Sequence, residues 1–172
     1  GLFILDLDHV PTGCGTWPAF WMYGEDETHI WPKWGEYDIF ESMHNLTNVM
    51  TTLHTTEGCD QSTVAPGTFK RMDGAAGHPA ADCNTEAKGQ YHNQGCPQLG
   101  PDRTSGNAFN ADGGGTFAAE WDPRSQQIRT WFWGRGKEPE DLKRGKPEPY
   151  DWGMPYSFFS LDPRRCPAAH FH

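Results

Sequence analysis

Glycine and proline interrupt this chain so often that long helices have little room to form. The chain holds 20 glycines and 14 prolines in 172 residues, and residues 36–57 are the one long stretch without either. That stretch is rich in asparagine and threonine, whose backbone-competing or branched side chains disfavour a helix. Two strands that meet at a turn over residues 45–48 fit it better.

Short strand patterns recur along the rest of the chain. Residues 1–7, 116–121 and 127–133 are predicted strands bounded by glycine, aspartate and proline. Residues 57–115 hold three cysteines and little periodicity, so we expect long loops stapled by disulfides, while residues 134–149 should form a solvated surface loop. The pattern predicts one all-β domain, a sandwich or a barrel, over residues 1–172.

The composition excludes two classes of partner. With 23 acidic against 14 basic side chains, the formal charge of −9 leaves no broad cationic surface for a phosphate backbone, so nucleic acid is an unsuitable partner. No apolar run approaches the roughly 20 residues that cross a bilayer, so we expect no membrane span.

The cysteines predict disulfides rather than a metal site. They stand at positions 14, 59, 83, 96 and 166, with no CxxC pair and no zinc-type spacing. An odd count leaves one thiol free or paired outside this chain, and the spacing does not give the pairing. Disulfides and an N-glycan acceptor at Asn45 agree with secretion. His170 and His172 could share a strand face, but no third ligand lies nearby, so we predict no metal.

Three carboxylates crowd into six positions of an otherwise apolar strand. Glu36 and Asp38 are two residues apart and share a face, whereas Glu41 would point away in a regular strand. A β-bulge near Ile39 and Phe40 would return Glu41 to that face, and bulges are enriched beside active sites. A pair of carboxyl groups about 5–5.5 Å apart is what a retaining glycosidase needs.

The neighbouring strand adds His54 to this set. If residues 45–48 form the hairpin loop, Asp38 faces His54, which could orient the carboxylates. Three acids in a strand would also suit a sheet edge charged against aggregation, or a calcium site. The apolar Ile39 and Phe40 and the flanking tryptophans favour a buried, aromatic cleft instead.

Residues 35–41 resemble the bulged ExDxxE signature of glycoside hydrolase family 16. Four further blocks resemble its fungal-type laminarinase branch in the same order, so the likeness covers nearly the whole chain. These blocks are residues 13–21, 52–55, 113–121 and 131–136. The resemblance implies a concanavalin-like β-jelly roll of two antiparallel sheets, with a glucan cleft on its concave face.

The same resemblance implies the roles of the acids. Glu36 would be the nucleophile, Asp38 the assisting carboxylate and Glu41 the general acid/base of a secreted retaining endo-β-glucanase. Its substrate would be β-1,3- or mixed β-1,3/1,4-glucan, with no cofactor. Two alternatives stay open: a cell-wall glucan transglycosylase, and a non-catalytic carbohydrate-binding jelly roll.

Three tryptophans match tryptophan positions of the family. Trp17, Trp21 and Trp121 are therefore candidates to stack on sugar rings, although tryptophans in a sandwich often fill the core instead. We assign Trp131 and Trp133 to the core. The family domain extends beyond both ends of this chain, with a later cysteine as a candidate partner of Cys166. We therefore expect the chain to be the central part of a longer domain, and a monomer.

Overall fold

The computed structural model of the protein describes residues 1–65 and 67–171 as a β-sandwich. The strands are β1 (Leu2–Leu7), β2 (Ala19–Tyr23), β3 (Glu36–Glu41), β4 (Met50–His54), β5 (Gln98–Leu99), β6 (Gly115–Asp122), β7 (Gln127–Gly134) and β8 (Ser157–Ser160). Short helices α1 (Gly106–Ala111) and α2 (Glu140–Lys143) and 3₁₀ turns at Pro149–Asp151 and Ala168–His170 join them. The predicted all-β jelly roll of two antiparallel sheets is confirmed.

Each sheet has four antiparallel strands. The front sheet has the order β2-β3-β4-β5, and the back sheet has the order β1-β6-β7-β8. Strand alternation turns Tyr37 and Leu53 of the front sheet toward Ile128 and Phe159 of the back sheet, where all four are buried in one cluster. The core between the sheets therefore takes Tyr37, Ile39 and Phe40 of β3, which leaves Glu36, Asp38 and Glu41 on the outer face of the front sheet.

The outer face of the back sheet carries a separate aromatic cluster. Trp131 is 2 % exposed and packs edge-on against Trp152, with ring centroids 5.2 Å apart. Trp133 is partly buried and also packs against Trp152, so neither strand tryptophan is free to meet a ligand with its whole ring. Ile128 of the same strand faces the inter-sheet core, so alternation turns Trp131 and Trp133 to the outer face, where they fill a separate cluster and not the core between the sheets.

Two disulfides fasten the loops. Cys83–Cys96 closes a segment of the long loop region, as expected. Cys59 pairs with Cys166, so the expected later cysteine is not the partner of Cys166. A backbone hydrogen bond holds the two segments together beside this disulfide, since the Asp60 amide donates to the Arg165 carbonyl at 2.8 Å. Cys14 is exposed and unpaired among the described residues.

Four short elements differ from the sequence prediction. Strands β5 and β8, and the helices α1 and α2 inside the two predicted loops, were not predicted because each is too short to show a periodic pattern. His170 lies in a 3₁₀ turn, so the strand expected at the chain's end is wrong, and His172 lies outside the described residues. Among the described residues, no helix has the length and apolar character of a membrane span.

Candidate active site

A bulge in β3 brings the three acids to one face. On the strand pair β3–β4, Glu41 lies opposite Met50 and Asp38 lies opposite Thr52. Two residues of β3, Ile39 and Phe40, therefore stand opposite the single Thr51, and the bulge is confirmed where the sequence predicted it. Both are buried, at 0 % and 1 % exposed, because both point into the inter-sheet core.

The pairing across the front sheet builds a small grid of outward side chains. Antiparallel partners share a face, so each acid of β3 has one neighbour on β2 and one on β4. The three rows are Tyr23, Glu36 and His54; Trp21, Asp38 and Thr52; and Ala19, Glu41 and Met50. We call this outer face of the front sheet the cleft face.

His54 reaches Asp38, although the predicted register was wrong. The sequence placed His54 opposite Asp38, whereas it lies opposite Glu36. The strands are joined by residues 42–49, a longer connection than the assumed loop, and the resulting shift of two residues keeps His54 on the same face. Its side chain leans toward the middle row, where Nε2 lies 3.2 Å from Asp38 Oδ2.

Burial and mutual repulsion shape the charges of the site. Burial, and then the charge of Asp38, raise the pKa of Glu36, against the opposing effects of His54 and of the Trp31 N–H. Burial also raises the pKa of Asp38, and His54 only partly offsets this. For His54, burial lowers the pKa, but the nearby carboxylates outweigh it, Asp38 most strongly, and the net shift is upward. The pair therefore favours an imidazolium beside Asp38.

Each glutamate accepts a hydrogen bond from a tryptophan indole. Trp31 Nε1 donates to Glu36 Oε2 at 2.5 Å. Trp17 Nε1 donates to Glu41 Oε1 at 2.7 Å. Sequence reasoning noted Trp31 only as a flanking aromatic residue, and its position five residues before the acid gives no pattern that would assign it this contact.

The candidate sugar-stacking tryptophans separate into two groups. Trp17 and Trp21 are 64 % and 48 % exposed beside the acids, and the Trp21 ring stacks on Tyr23 with centroids 5.2 Å apart. Sequence reasoning missed Tyr23, although its offset of two from Trp21 was the available signal. Trp121 lies on β6 of the back sheet and packs against Phe171 and the inter-sheet core. Its position does not support the predicted contact with sugar.

A cavity of about 410 Å³ adjoins the acids on the β4 side of the cleft face. Trp17, Glu36, Glu41 and His54 line it together with a loop that carries Tyr91. This volume lies within the range of about 300–1,000 Å³ that small-molecule sites occupy. The ligand atoms of Glu36, Asp38 and His54 lie within 4.8 Å of one another, so these residues could also hold a metal ion. The expected absence of a metal stays a prediction.

Comparisons with known proteins agree with this geometry. The model of XgeA-like catalytic domains of glycoside hydrolase family 16 matches residues 1–172. A probable glycosidase of Schizosaccharomyces pombe is 43 % identical over 92 % of this chain and 35 % of its own length. An endo-1,3(4)-β-glucanase of Arthroderma benhamiae is 37 % identical over 92 % of this chain and 33 % of its own length. The chain thus spans about a third of these two relatives.

Solved structures extend the likeness to three dimensions. Laminarinase 16A of Phanerochaete chrysosporium, seen with β-glucans in its donor and acceptor sites, superposes with a TM-score of 0.81 at 32 % identity, over 99 % of this chain and 54 % of that one. An elongating β-1,3-glucosyltransferase of family 16 superposes with a TM-score of 0.75 at 30 % identity, over 93 % of this chain and 48 % of that one. The chain therefore belongs to the XgeA-like catalytic domains of glycoside hydrolase family 16.

Proposed function

We propose that this domain hydrolyses β-1,3-glucan or mixed β-1,3/1,4-glucan within the chain and with retention of anomeric configuration. The observation that carries the proposal is the bulge in β3, because it directs Glu36, Asp38 and Glu41 to one exposed face beside two exposed tryptophans. The endo-1,3(4)-β-glucanases among its relatives supply the substrate class.

In the first step, Glu36 attacks the anomeric carbon of the sugar, and the C–O bond to the leaving sugar breaks. The Trp31 N–H and the charge of His54 favour the ionised form of Glu36 that the attack requires. Glu41 gives its proton to the leaving oxygen, so the products are a glycosyl ester of Glu36 and a free glucan end.

In the second step, Glu41 acts as the base. It takes a proton from water, the water oxygen attacks the anomeric carbon, and the ester bond to Glu36 breaks. Two inversions at one carbon give net retention. Asp38, on the same face between the two glutamates, is paired with His54, which restrains its side chain while the charges on its neighbours change.

Hydrolysis of laminarin tests the proposal. Wild type should release reducing ends, while Glu36→Gln should keep about 0.1 % of that activity or less, because an amide cannot form the glycosyl ester. Proton NMR of the first products should show the β-anomer before mutarotation. Equal activity of the wild type and Glu36→Gln would contradict the proposal, as would an initial α-product.

The likeness to a glucosyltransferase favours a second candidate function, transfer of the bound sugar to another glucan. The elongating β-1,3-glucosyltransferase shares the fold over 93 % of this chain, so a glucan acceptor could replace water in the second step. Incubation with a short laminari-oligosaccharide of one defined length distinguishes the two, because transfer yields products longer than the substrate and hydrolysis does not.

We also propose that the domain acts outside the cell. Two disulfides support this placement, since such bridges persist in oxidising compartments. An extracellular β-glucan is then its partner. Mass spectrometry of protein recovered from the culture medium under non-reducing conditions should find both disulfides intact.

A further inference from the structure

One wall of the cleft comes from a loop that the proposed mechanism does not use. Residues 84–95, which we call the Tyr91 loop, run between the two cysteines of the second disulfide. Residues Tyr91, His92, Asn93 and Gln94 line the same cavity as Glu36 and Glu41. We propose that this loop forms a sugar-binding subsite for β-glucan across β3 from Trp21. The proposal rests on the proposed function and adds to it a residue that extends binding beyond the reacting sugar.

The sheet order gives the subsite its place. Trp21 stands on β2, at one side of the catalytic strand β3, whereas the Tyr91 loop lies beyond β4 at the other side. A glucan that crosses the strands would therefore pass from the exposed ring of Trp21, over the acids, to the exposed ring of Tyr91. The two rings would contact sugars on opposite sides of the bond that is cut.

The backbone of the loop is held firmly. Gln90 Nε2 donates to the carbonyls of Asp82 and Gly95, both at 2.7 Å, and its Oε1 accepts from the amides of Ala81 and Asp82. Gln94 Nε2 donates to the Asp73 carbonyl at 2.9 Å. A wall fixed in this way loses little conformational entropy when a ligand binds.

The loop also packs against the catalytic machinery. Gly95 has φ +61°, and a Cβ there would lie 2.4 Å from the Leu53 carbonyl and 2.9 Å from His54 Nδ1. Only a glycine fits this conformation and this close approach without strain. The Tyr91 loop is therefore in fixed register with His54, and Tyr91 has a defined position relative to the acids.

The side chains that the loop presents suit a sugar. Tyr91 is 62 % exposed on this fixed backbone, so its ring is available to a partner. A pyranose offers an apolar C–H face to an aromatic ring and hydroxyls at its rim. The ring of Tyr91 matches the apolar face of the sugar, and the polar side chain of Asn93 beside it matches the hydroxyls.

Steady-state kinetics on laminari-oligosaccharides of increasing length test the subsite. Tyr91→Ala should raise KM about 3- to 10-fold for the longest oligosaccharides and leave kcat within about twofold, because a stacking contact far from the reacting bond binds ground and transition states alike. The effect should disappear for the shortest substrates. Tyr91→Phe should recover most of the loss, because it keeps the ring.

Tyr150→Ala is the matched control. Tyr150 is 69 % exposed, but it lies over Arg129 on the outer face of the back sheet. Its replacement should leave KM unchanged at every length. A Tyr91→Ala variant with wild-type KM, or one as impaired on short substrates as on long ones, would overturn the subsite.

Binding separates this inference from the proposed function. Calorimetry with a long laminari-oligosaccharide on Glu36→Gln, with and without Tyr91→Ala, measures affinity without turnover. If the wild type binds without hydrolysis and Tyr91→Ala weakens binding, the function is wrong and the subsite stands. If the wild type hydrolyses laminarin and Tyr91→Ala binds normally, the function stands and the subsite is wrong. Absence of binding by Glu36→Gln overturns the subsite.

Discussion

The two sheets each hold a buried acid–base pair on their outer face, and the pairs differ in how well they are satisfied. On the back sheet, Arg129 donates from Nε and Nη2 to Glu120 Oε2 at 2.8 and 2.5 Å. On the cleft face, Nε2 of His54 lies 3.2 Å from Asp38 Oδ2. Among the described residues, the other ring nitrogen, His54 Nδ1, is buried without a hydrogen-bond partner.

The difference in hydrogen bonding indicates that Glu120–Arg129 stabilises the fold, whereas Asp38–His54 serves the reaction. A buried polar atom without a partner costs stability, so its persistence indicates a role other than holding the fold. Burial raises the pKa of Glu36 and Asp38, and the neighbouring carboxylates raise the pKa of His54, which is a pattern typical of active sites. The Glu120–Arg129 pair has two hydrogen bonds and Arg129 stacked 4.8 Å from the Trp131 ring, as expected of a group that holds the fold together.

The largest expected effect is on kcat, and it should follow replacement of an acid on the cleft face but not of an acid on the back sheet. Glu41→Gln should lower kcat on laminarin by about 10²–10⁴-fold, because it removes the proton donor. Oligosaccharide binding should persist. Glu120→Gln, the matched control on the back sheet, should keep kcat within about twofold. Equal kcat values for the two variants would erase the functional distinction between the faces.

The free energy of unfolding should depend more on the back-sheet pair than on the acids of the cleft face. Glu120→Ala leaves Arg129 charged and largely buried, which should lower the free energy of unfolding by about 3 kcal/mol. Asp38→Ala should cost less, since burial already disfavours the charged form of the acid that it removes. Urea denaturation at constant pH measures both. A larger loss for Asp38→Ala would contradict the structural role given to the back-sheet pair.

The third prediction concerns the proton on His54. Asp38→Asn removes the nearest negative charge, so burial should dominate and lower the pKa of His54. An NMR titration of the ring checks this. In the wild type, the raised pKa of His54 adds stability that is complete below the unfolded value of about 6.5 and is lost as pH rises through the folded value. That loss should vanish in Asp38→Asn, whereas an unmoved His54 titration would contradict the coupling.

The smallest expected effect compares two indole-to-carboxylate hydrogen bonds of equal length. Trp17 Nε1 donates to Glu41 Oε1, and Trp152 Nε1 donates to Asp141 Oδ2, each at 2.7 Å. Trp17→Phe should lower kcat about 3- to 10-fold, as expected from loss of one hydrogen bond of about 1 kcal/mol that orients Glu41. Trp152→Phe should reduce thermal stability and leave kcat unchanged. A fall in kcat for both variants alike would show that the first bond has no special part in turnover.

The sequence contained enough to predict the bulge but not the register. Three acids at unequal spacing required one extra residue in β3, and Ile39 and Phe40 are where it occurs. The register of β4 depended on a loop length that no residue pattern specifies, so the predicted partner of Asp38 was wrong by two positions while its face was right. A register error of two positions keeps a side chain on the same face of the sheet, and this is why His54 was still placed beside the acids.

Long-range pairings were beyond the reach of sequence reasoning. Trp121 was a candidate for sugar stacking because it matches a tryptophan position of the family, and nothing local in the sequence shows that β6 belongs to the back sheet. Cys166 meets Cys59 across 107 positions of chain, a pairing that the spacing of cysteines does not encode. Tyr91 lies in a loop with no periodicity, and its place in the cavity depends on the tertiary fold.

Because of the bulge, the position of Glu41 depends on how many residues separate it from Asp38, and not on which apolar residues they are. Ile39 and Phe40 both face the core, so another apolar side chain at either position would alter packing yet leave the acids where they are. Loss of one of them would leave Glu41 an even number of positions from Glu36, so a regular strand without the bulge would still hold all three acids on one face. Loss of both would leave an odd spacing with no bulge to correct it, and Glu41 would then turn toward the core. The extra residue in the strand and the odd spacing of the two glutamates therefore depend on each other, and a change in one is tolerated only with a matching change in the other.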